Sequence, residues 1–90
     1  MMKTSKQLER HLKGLANHTR LDILFLVFKD PELNVENITD TLGKNFKTIS
    51  EHTRRLVQAG LLDKRYKGRS VIHSLSPYGK KFVNFLKNFN

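Results

Sequence analysis

Ninety residues carry seventeen Lys and Arg against eight Asp and Glu, a formal net charge of +9, and the pI is about 10.2. This is the size of one domain, near the limit where a single core is only modestly stabilising, and the charge suits a polyanionic partner such as nucleic acid or an anionic membrane surface. The absence of cysteine excludes disulfides, thiol chemistry and thiolate metal sites.

The charge is unevenly placed. Residues 17–43 hold Arg20 and Lys29 against Asp22, Asp30, Glu32, Glu36 and Asp40, a sum of −3, whereas residues 44–81 hold ten basic residues against Glu51 and Asp63, a sum of +8. Such a step describes a basic patch. The opening stretch, MMKTSKQLERHLKGL, has no apolar core of the kind a signal peptide requires. The most apolar run, Leu21 to Phe28, is too short to span a bilayer and contains Asp22. The expectation is a soluble, intracellular protein without a membrane partner, cytoplasmic and, in a prokaryote, associated with the nucleoid.

In chain order, Leu8, His11, Leu12 and Leu15 recur at helical spacing and predict a first helix from about Ser5 to Leu15. Asn17 and His18 break the pattern, and Thr19 with Asp22 three residues on resembles a helix-starting box. The helix it opens, about Arg20 to Lys29, is apolar on most sides and belongs at the centre of a core; Asp30-Pro31 stops it. Val35, Ile38 and Leu42 give a short third helix closed by Gly43. After a tight Gly43-Lys44-Asn45 turn, Asn45 is an N-cap for a fourth helix and Gly60 its left-handed stop. Two short helices joined so closely are a helix-turn-helix.

Beyond Gly60 the period becomes two. Leu62, Lys64 and Tyr66 alternate with Leu61, Asp63 and Arg65, and beyond Lys67-Gly68 the residues Val71, His73 and Leu75 alternate with Ile72 and Ser74. This predicts a two-stranded hairpin with a basic tip. Ser76-Pro77 supplies an N-cap and a first-turn proline for a last helix, striped by Tyr78, Phe82, Phe85, Leu86 and Phe89. The predicted fold is mainly α with a β-hairpin wing, α-α-α-α-β-β-α, a single winged helix-turn-helix domain over residues 1–90.

In the fourth helix Ile49, Leu56 and Ala59 can share one side, leaving Lys47, Ser50, Glu51 and Arg54 at 0, 3, 4 and 7 on an outer face beside Arg55. Such a face suits the major groove, with short side chains at base edges and cations on phosphates; Glu51 could accept from a cytosine amino group. The alternative is a solvated polar face. The recognition set is Asn45, Phe46, Lys47, Thr48, Ser50, Glu51, Arg54 and Arg55. Thr53 falls where an apolar residue should stand: either its hydroxyl bonds back to the Ile49 carbonyl, or the helix is rotated slightly.

The tip places Lys64, Arg65, Lys67 and Arg69 around Gly68. It reads as a wing on the DNA backbone or in the minor groove, against the alternative of a sheet edge protected by charge. The aromatic stripe of the last helix either covers its own domain or, with Leu8 and Leu12 of the first helix, makes a dimer interface comprising Leu8, Leu12, Tyr78, Phe82, Phe85, Leu86 and Phe89. The four histidines, His11, His18, His52 and His73, are scattered without a carboxylate at metal-ligand spacing, and each reads as a satisfied structural histidine. No nucleophile, base and acid triple and no Gly-rich phosphate loop stands out, so neither catalytic residues nor a cofactor is expected.

Three blocks in order resemble the ArsR/SmtB-type transcriptional repressors. "LKGLANHTRLDIL" (12–24) is similar to that family's opening, "LGKNFKTISEHTRRLVQAGLL" (42–62) to its helix-turn-helix signature, and "GRSVIHSL" (68–75) to its wing. The resemblance implies a homodimer built on the first and last helices, binding an imperfect palindrome in the operator of its own operon. It implies base contacts at Phe46, Lys47, Ser50 and Glu51, of which Phe46 and Glu51 depart from the family's usual polar residue and histidine, so the preferred operator should differ. Metal sensors of the family often carry Cys-x-Cys where this chain has Asn34 and Glu36, or Asp and His ligands on the last helix, where residues 76–90 hold no Asp, Glu or His. The expected function is a dimeric, sequence-specific regulator of double-stranded DNA, a repressor by resemblance, with no metal and an unknown effector. A non-specific DNA-coating, chromatin-like protein and a winged-helix protein-interaction module are the alternatives.

Overall fold

The computed structural model describes residues 2–89. Five helices and three strands follow in the order α1 (Ser5–Leu15), α2 (His18–Lys29), β1 (Leu33–Asn34), α3 (Val35–Leu42), α4 (Phe46–Gln58), β2 (Leu62–Lys67), β3 (Ser70–Leu75) and α5 (Pro77–Phe89). The winged helix-turn-helix expected from the pattern is the observed fold. The largest departure is β1, which pairs antiparallel with β3 (Leu33 opposite His73, Asn34 opposite Ile72) and turns the expected two-stranded hairpin into a three-stranded sheet, β1-β3-β2. A two-residue strand is too short for alternation to show. Asn34 does double duty: it ends β1 and caps α3, its side chain accepting from the Asn37 amide at 2.8 Å while the Asn37 side chain accepts from the Asn34 amide.

The start of α2 also differs. Asn17, not Thr19, is the N-cap; its Oδ1 accepts from the amides of Thr19 (3.0 Å) and Arg20 (3.1 Å), so His18 lies inside the helix and Thr19 is buried in its first turn. Asn supplies the same capping oxygen two residues earlier, and an extended backbone at Asn17 makes it available. As expected, α2 runs through the middle of the core: Ile23, Leu24 and Val27 are buried, with Leu21, Phe25 and Leu26 packed around them. Full burial of such a side chain contributes about 1.5–3 kcal/mol.

Around α2 the core is completed by Leu15, Leu33, Ile38, Ile49, Leu56, Leu61, Leu62, Leu75 and Val83, at least one from every remaining element. Gly43 closes α3 with φ 63°, and the expected caps of α4 hold: the Asn45 side chain accepts from the Lys47 and Thr48 amides at 2.8 and 3.3 Å, and Gly60 takes φ 77° after the helix. Ser76 starts α5 as expected, accepting from the Gly79 amide at 2.9 Å, and in addition donates its hydroxyl hydrogen to the Gly60 carbonyl at 2.6 Å. The end of α4 is thereby tied to the start of α5.

Candidate nucleic-acid interface

The outer face of α4 exists because its inner face is used up. Ile49, Leu56 and Ala59 are buried, which turns Lys47, Arg54 and Arg55 outward into solvent and leaves Ser50 and Glu51 half-buried between them. Thr53 is buried at 3% exposure, on the inner side with Ile49 and Leu56. Its Oγ1 donates to the Ser50 carbonyl at 2.9 Å. Neither sequence alternative describes it: the acceptor is three residues back rather than four, and burial is tolerated because this bond satisfies the hydroxyl.

Glu51 is held by both arginines. Arg54 grips its two carboxylate oxygens, the Nε bond being 3.1 Å, and Arg55 Nε donates to Oε1 at 3.0 Å. The hydrogen bond from Arg54, then the charges of Arg54 and Arg55, hold the carboxylate below its ordinary value against the opposing effect of burial, and the same pairing raises Arg54. The ridge is thus an ordered unit in which two guanidinium groups are pre-oriented on a fixed anion. Phe46, 50% exposed, stands at its N-terminal edge with Asn45, Lys47 and Thr48.

The wing lies beside this ridge. Ser50 and Arg54 of α4 share a cleft of about 420 Å³ with Lys64 of β2 and with Val71 and His73 of β3. At the tip, Gly68 has φ 64° and Arg69 is exposed. Arg65 and Lys67 are anchored by Glu32, at 3.0 and 3.9 Å, from the turn that follows α2. Glu32 is a wing-positioning residue the sequence did not single out, and only the pairing of β1 with β3 brings it there. Because β2 is an edge of the sheet, its cations also guard that edge.

The candidate dimer residues divide. Phe82 and Leu86 are half-buried and pack against the chain's own core. Leu8, Leu12, Tyr78, Phe85 and Phe89 are exposed, Phe85 at 60% and Phe89 at 77%, and a groove of about 460 Å³ runs between α1 and α5 past Leu8, Leu12, Tyr78 and Phe85.

Of the histidines, only His11 is satisfied as expected. It is buried, its Nδ1 lies 2.6 Å from the Ala59 carbonyl, and its ring packs on Tyr78 and Phe82. His18 is exposed at the start of α2. His52 and His73 are corrections: the Nδ1 of each is buried without a hydrogen-bond partner. Burial first, then Arg20 and Arg55, lower the basicity of His52; burial first, then Lys64, lowers that of His73. Each is packed near cations, Arg20 and Arg55 by His52 and Lys64 by His73, none of which hydrogen-bonds its Nδ1, and spacing alone does not reveal this. Among the described residues no group of three or more His, Cys, Asp or Glu is placed to hold a metal ion, and no helix is long and apolar enough to cross a membrane.

A capped helix with an ordered cationic outer face, flanked by a basic hairpin on a helix-turn-helix frame, defines a DNA-binding winged helix-turn-helix regulator. The profile described as "Bacterial regulatory protein, arsR family" matches residues 17–64, more than half of the chain, and the protein belongs to that family. The chain is 38% identical over 66 residues to the arsenical resistance operon repressor of Escherichia coli, covering 73% of this chain and 56% of that protein. It thus spans little more than half the length of that relative. It is 33% identical over 76 residues to the transcriptional activator HlyU of Vibrio cholerae, covering 84% of this chain and 69% of HlyU. The HlyU structure superposes with a TM-score of 0.86 at 29% identity, over 99% of this chain and 97% of that one. A structure from Mycobacterium bovis, described as a homodimeric winged helix-turn-helix DNA-binding domain, matches at 30% identity and TM-score 0.81, over 93% and 77% of the two chains. These relatives are transcriptional regulators, not enzymes.

Proposed function

We propose that this regulator acts as a homodimeric repressor of the bacterial cytoplasm, seating the outer face of α4 in the major groove at each half of an imperfect palindrome. The observation that carries the reading is the ordered ridge: Arg54 and Arg55 clamped on Glu51, next to Lys47 and Ser50 and sharing a cleft with the wing. Ser50 and Glu51 read base edges, and Lys47, Arg54 and the wing cations Lys64 and Arg69 hold phosphates, with Arg65 and Lys67 kept in line by Glu32.

Dimerisation through the exposed apolar residues of α1 and α5 sets two such faces at a fixed spacing. The homodimeric description of the Mycobacterium bovis relative supports this arrangement. The Escherichia coli relative's name supports repression, while the Vibrio cholerae relative is named an activator; steric exclusion by a DNA-bound dimer needs no additional surface, which favours the repressor reading. The reading includes no metal, because the chain has no cysteine and residues 76–90 offer no acidic or histidine ligand.

Selection of bound duplexes from a random pool at near-physiological salt tests it. The expected product is an enriched palindrome with half-sites about one helical turn apart. Binding without enrichment would put the DNA-coating reading in its place, and no binding even at low salt would leave a protein-interaction module.

A further inference from the structure

A second cluster of positive charge is assembled only by folding. Arg10 and Lys13 of α1, Arg20 of α2 and Arg55 of α4 line one surface cleft of about 300 Å³, beside Gly14 and Ala59. Three of the four come from segments that are, in sequence, outside the basic half of the chain, and one of these, Arg20, belongs to the acidic stretch. They meet because α1 and α4 come into close contact: a Cβ on Gly14 would stand 2.2 Å from the Ala59 Cβ, so only glycine allows the approach.

The cluster is under-neutralised. Lys13 has Glu9 at 3.7 Å and Arg55 has Glu51 at 3.0 Å, while Arg10 and Arg20 have no acidic partner among the described residues. Arg20 Nε is buried with no hydrogen-bond partner, and neighbouring His52 Nδ1 is in the same condition. A buried guanidinium donor left open is costly, and four cations gathered with only two acids repel. The repulsion is relieved by an oxyanion in the cleft, and the planar fork of arginine matches phosphate oxygens well.

We propose that this cleft binds one phosphate group, Arg10 and Arg20 donating charge-assisted hydrogen bonds and Lys13 and Arg55 adding charge. The group belongs either to the DNA backbone, beyond the reach of the ridge and wing, or to a free phosphate-bearing anion. The first source rests on the DNA-binding reading; the second does not. Because Arg55 also bonds Glu51, a phosphate in the cleft competes for Arg55 and loosens one arm of the clamp on the base-reading carboxylate.

The test has two arms. Inorganic phosphate is titrated into the full chain while the arginine Nε–H resonances are followed by NMR, with chloride at matched ionic strength as control. The Arg20 signal is expected to shift and saturate with phosphate only, and Arg10→Gln, an exposed change that spares the fold, should weaken binding about tenfold or more. In the second arm the salt dependence of duplex binding is compared between the native chain and Arg10→Gln. A slope smaller by about one identifies a backbone phosphate as the occupant; an unchanged slope with a saturable phosphate titration identifies the free anion. A phosphate titration identical to chloride together with an unchanged slope would overturn the site. Should the native chain bind no DNA, the phosphate titration alone decides.

Discussion

Two surfaces of this small domain face solvent and are chemically opposite. The α4 ridge and wing present ordered cations, several of them fixed by Glu51 and Glu32. The α1–α5 face presents Leu8, Leu12, Tyr78, Phe85 and Phe89, with one ring pair, Phe85 and Phe89, 5.8 Å apart. The first surface is suited to a partner whose attraction falls with salt; the second is suited to one that removes apolar area from water and is nearly indifferent to salt. In the proposed function they divide the labour: one face is assigned to DNA and the other to the contact that doubles the number of such faces.

The comparison breaks most visibly at Phe85. Replacing it by Glu places a charge in the centre of the apolar face without touching the core. Sedimentation should show monomer, and duplex affinity should fall by about 10²–10⁴ as the second half-site ceases to be intramolecular; an intact dimer would detach α5 from the interface. Gly79→Ala strikes the frame that carries both faces. A Cβ there would lie 2.1 Å from the Leu61 carbonyl oxygen, backbone that cannot rotate away, so thermal or urea unfolding should show a loss of about 1–3 kcal/mol.

Arg54→Ala sharpens the polar side alone. It should weaken binding to every sequence alike and lower the salt slope by about one, with the dimer untouched; a sequence-dependent loss would move Arg54 from phosphate to base. His73 gives the smallest effect. Burial lowers its pKa in the folded chain from the ordinary 6.5, so the unfolded chain takes the proton first as pH falls. Its contribution to stability is therefore full above about 6.5 and is lost as pH drops from there through the folded value. The urea midpoint of the native chain should fall between pH 7.5 and 5.5, and less so in His73→Leu; parallel curves would assign the decline elsewhere, His52 having the same sign.

The polar surface was largely legible in sequence because helical spacing and capping residues are local signals. Asn45, Gly60 and the Ser76-Pro77 start all act where their chemistry suggested. What depended on distant pairing was not legible. Leu33 and Asn34 become a strand only opposite His73 and Ile72. Thr53 finds its acceptor one residue away from the expected carbonyl. Phe82 and Phe85 lie three residues apart in one aromatic stripe, yet one packs inward and the other outward, which depends on where α2 and β3 stand. The Arg10–Arg20–Arg55 cluster spans three helices and leaves no trace in the running charge.

The central claim is that the two faces act together, the apolar one holding two cationic ones in phase with DNA. Its most direct test is to take the selected duplex and insert five base pairs between its half-sites, rotating them by about half a turn. The account predicts a loss of about 10² or more in affinity, recovered in part when ten base pairs are inserted instead. Equal affinity for all three duplexes would contradict it.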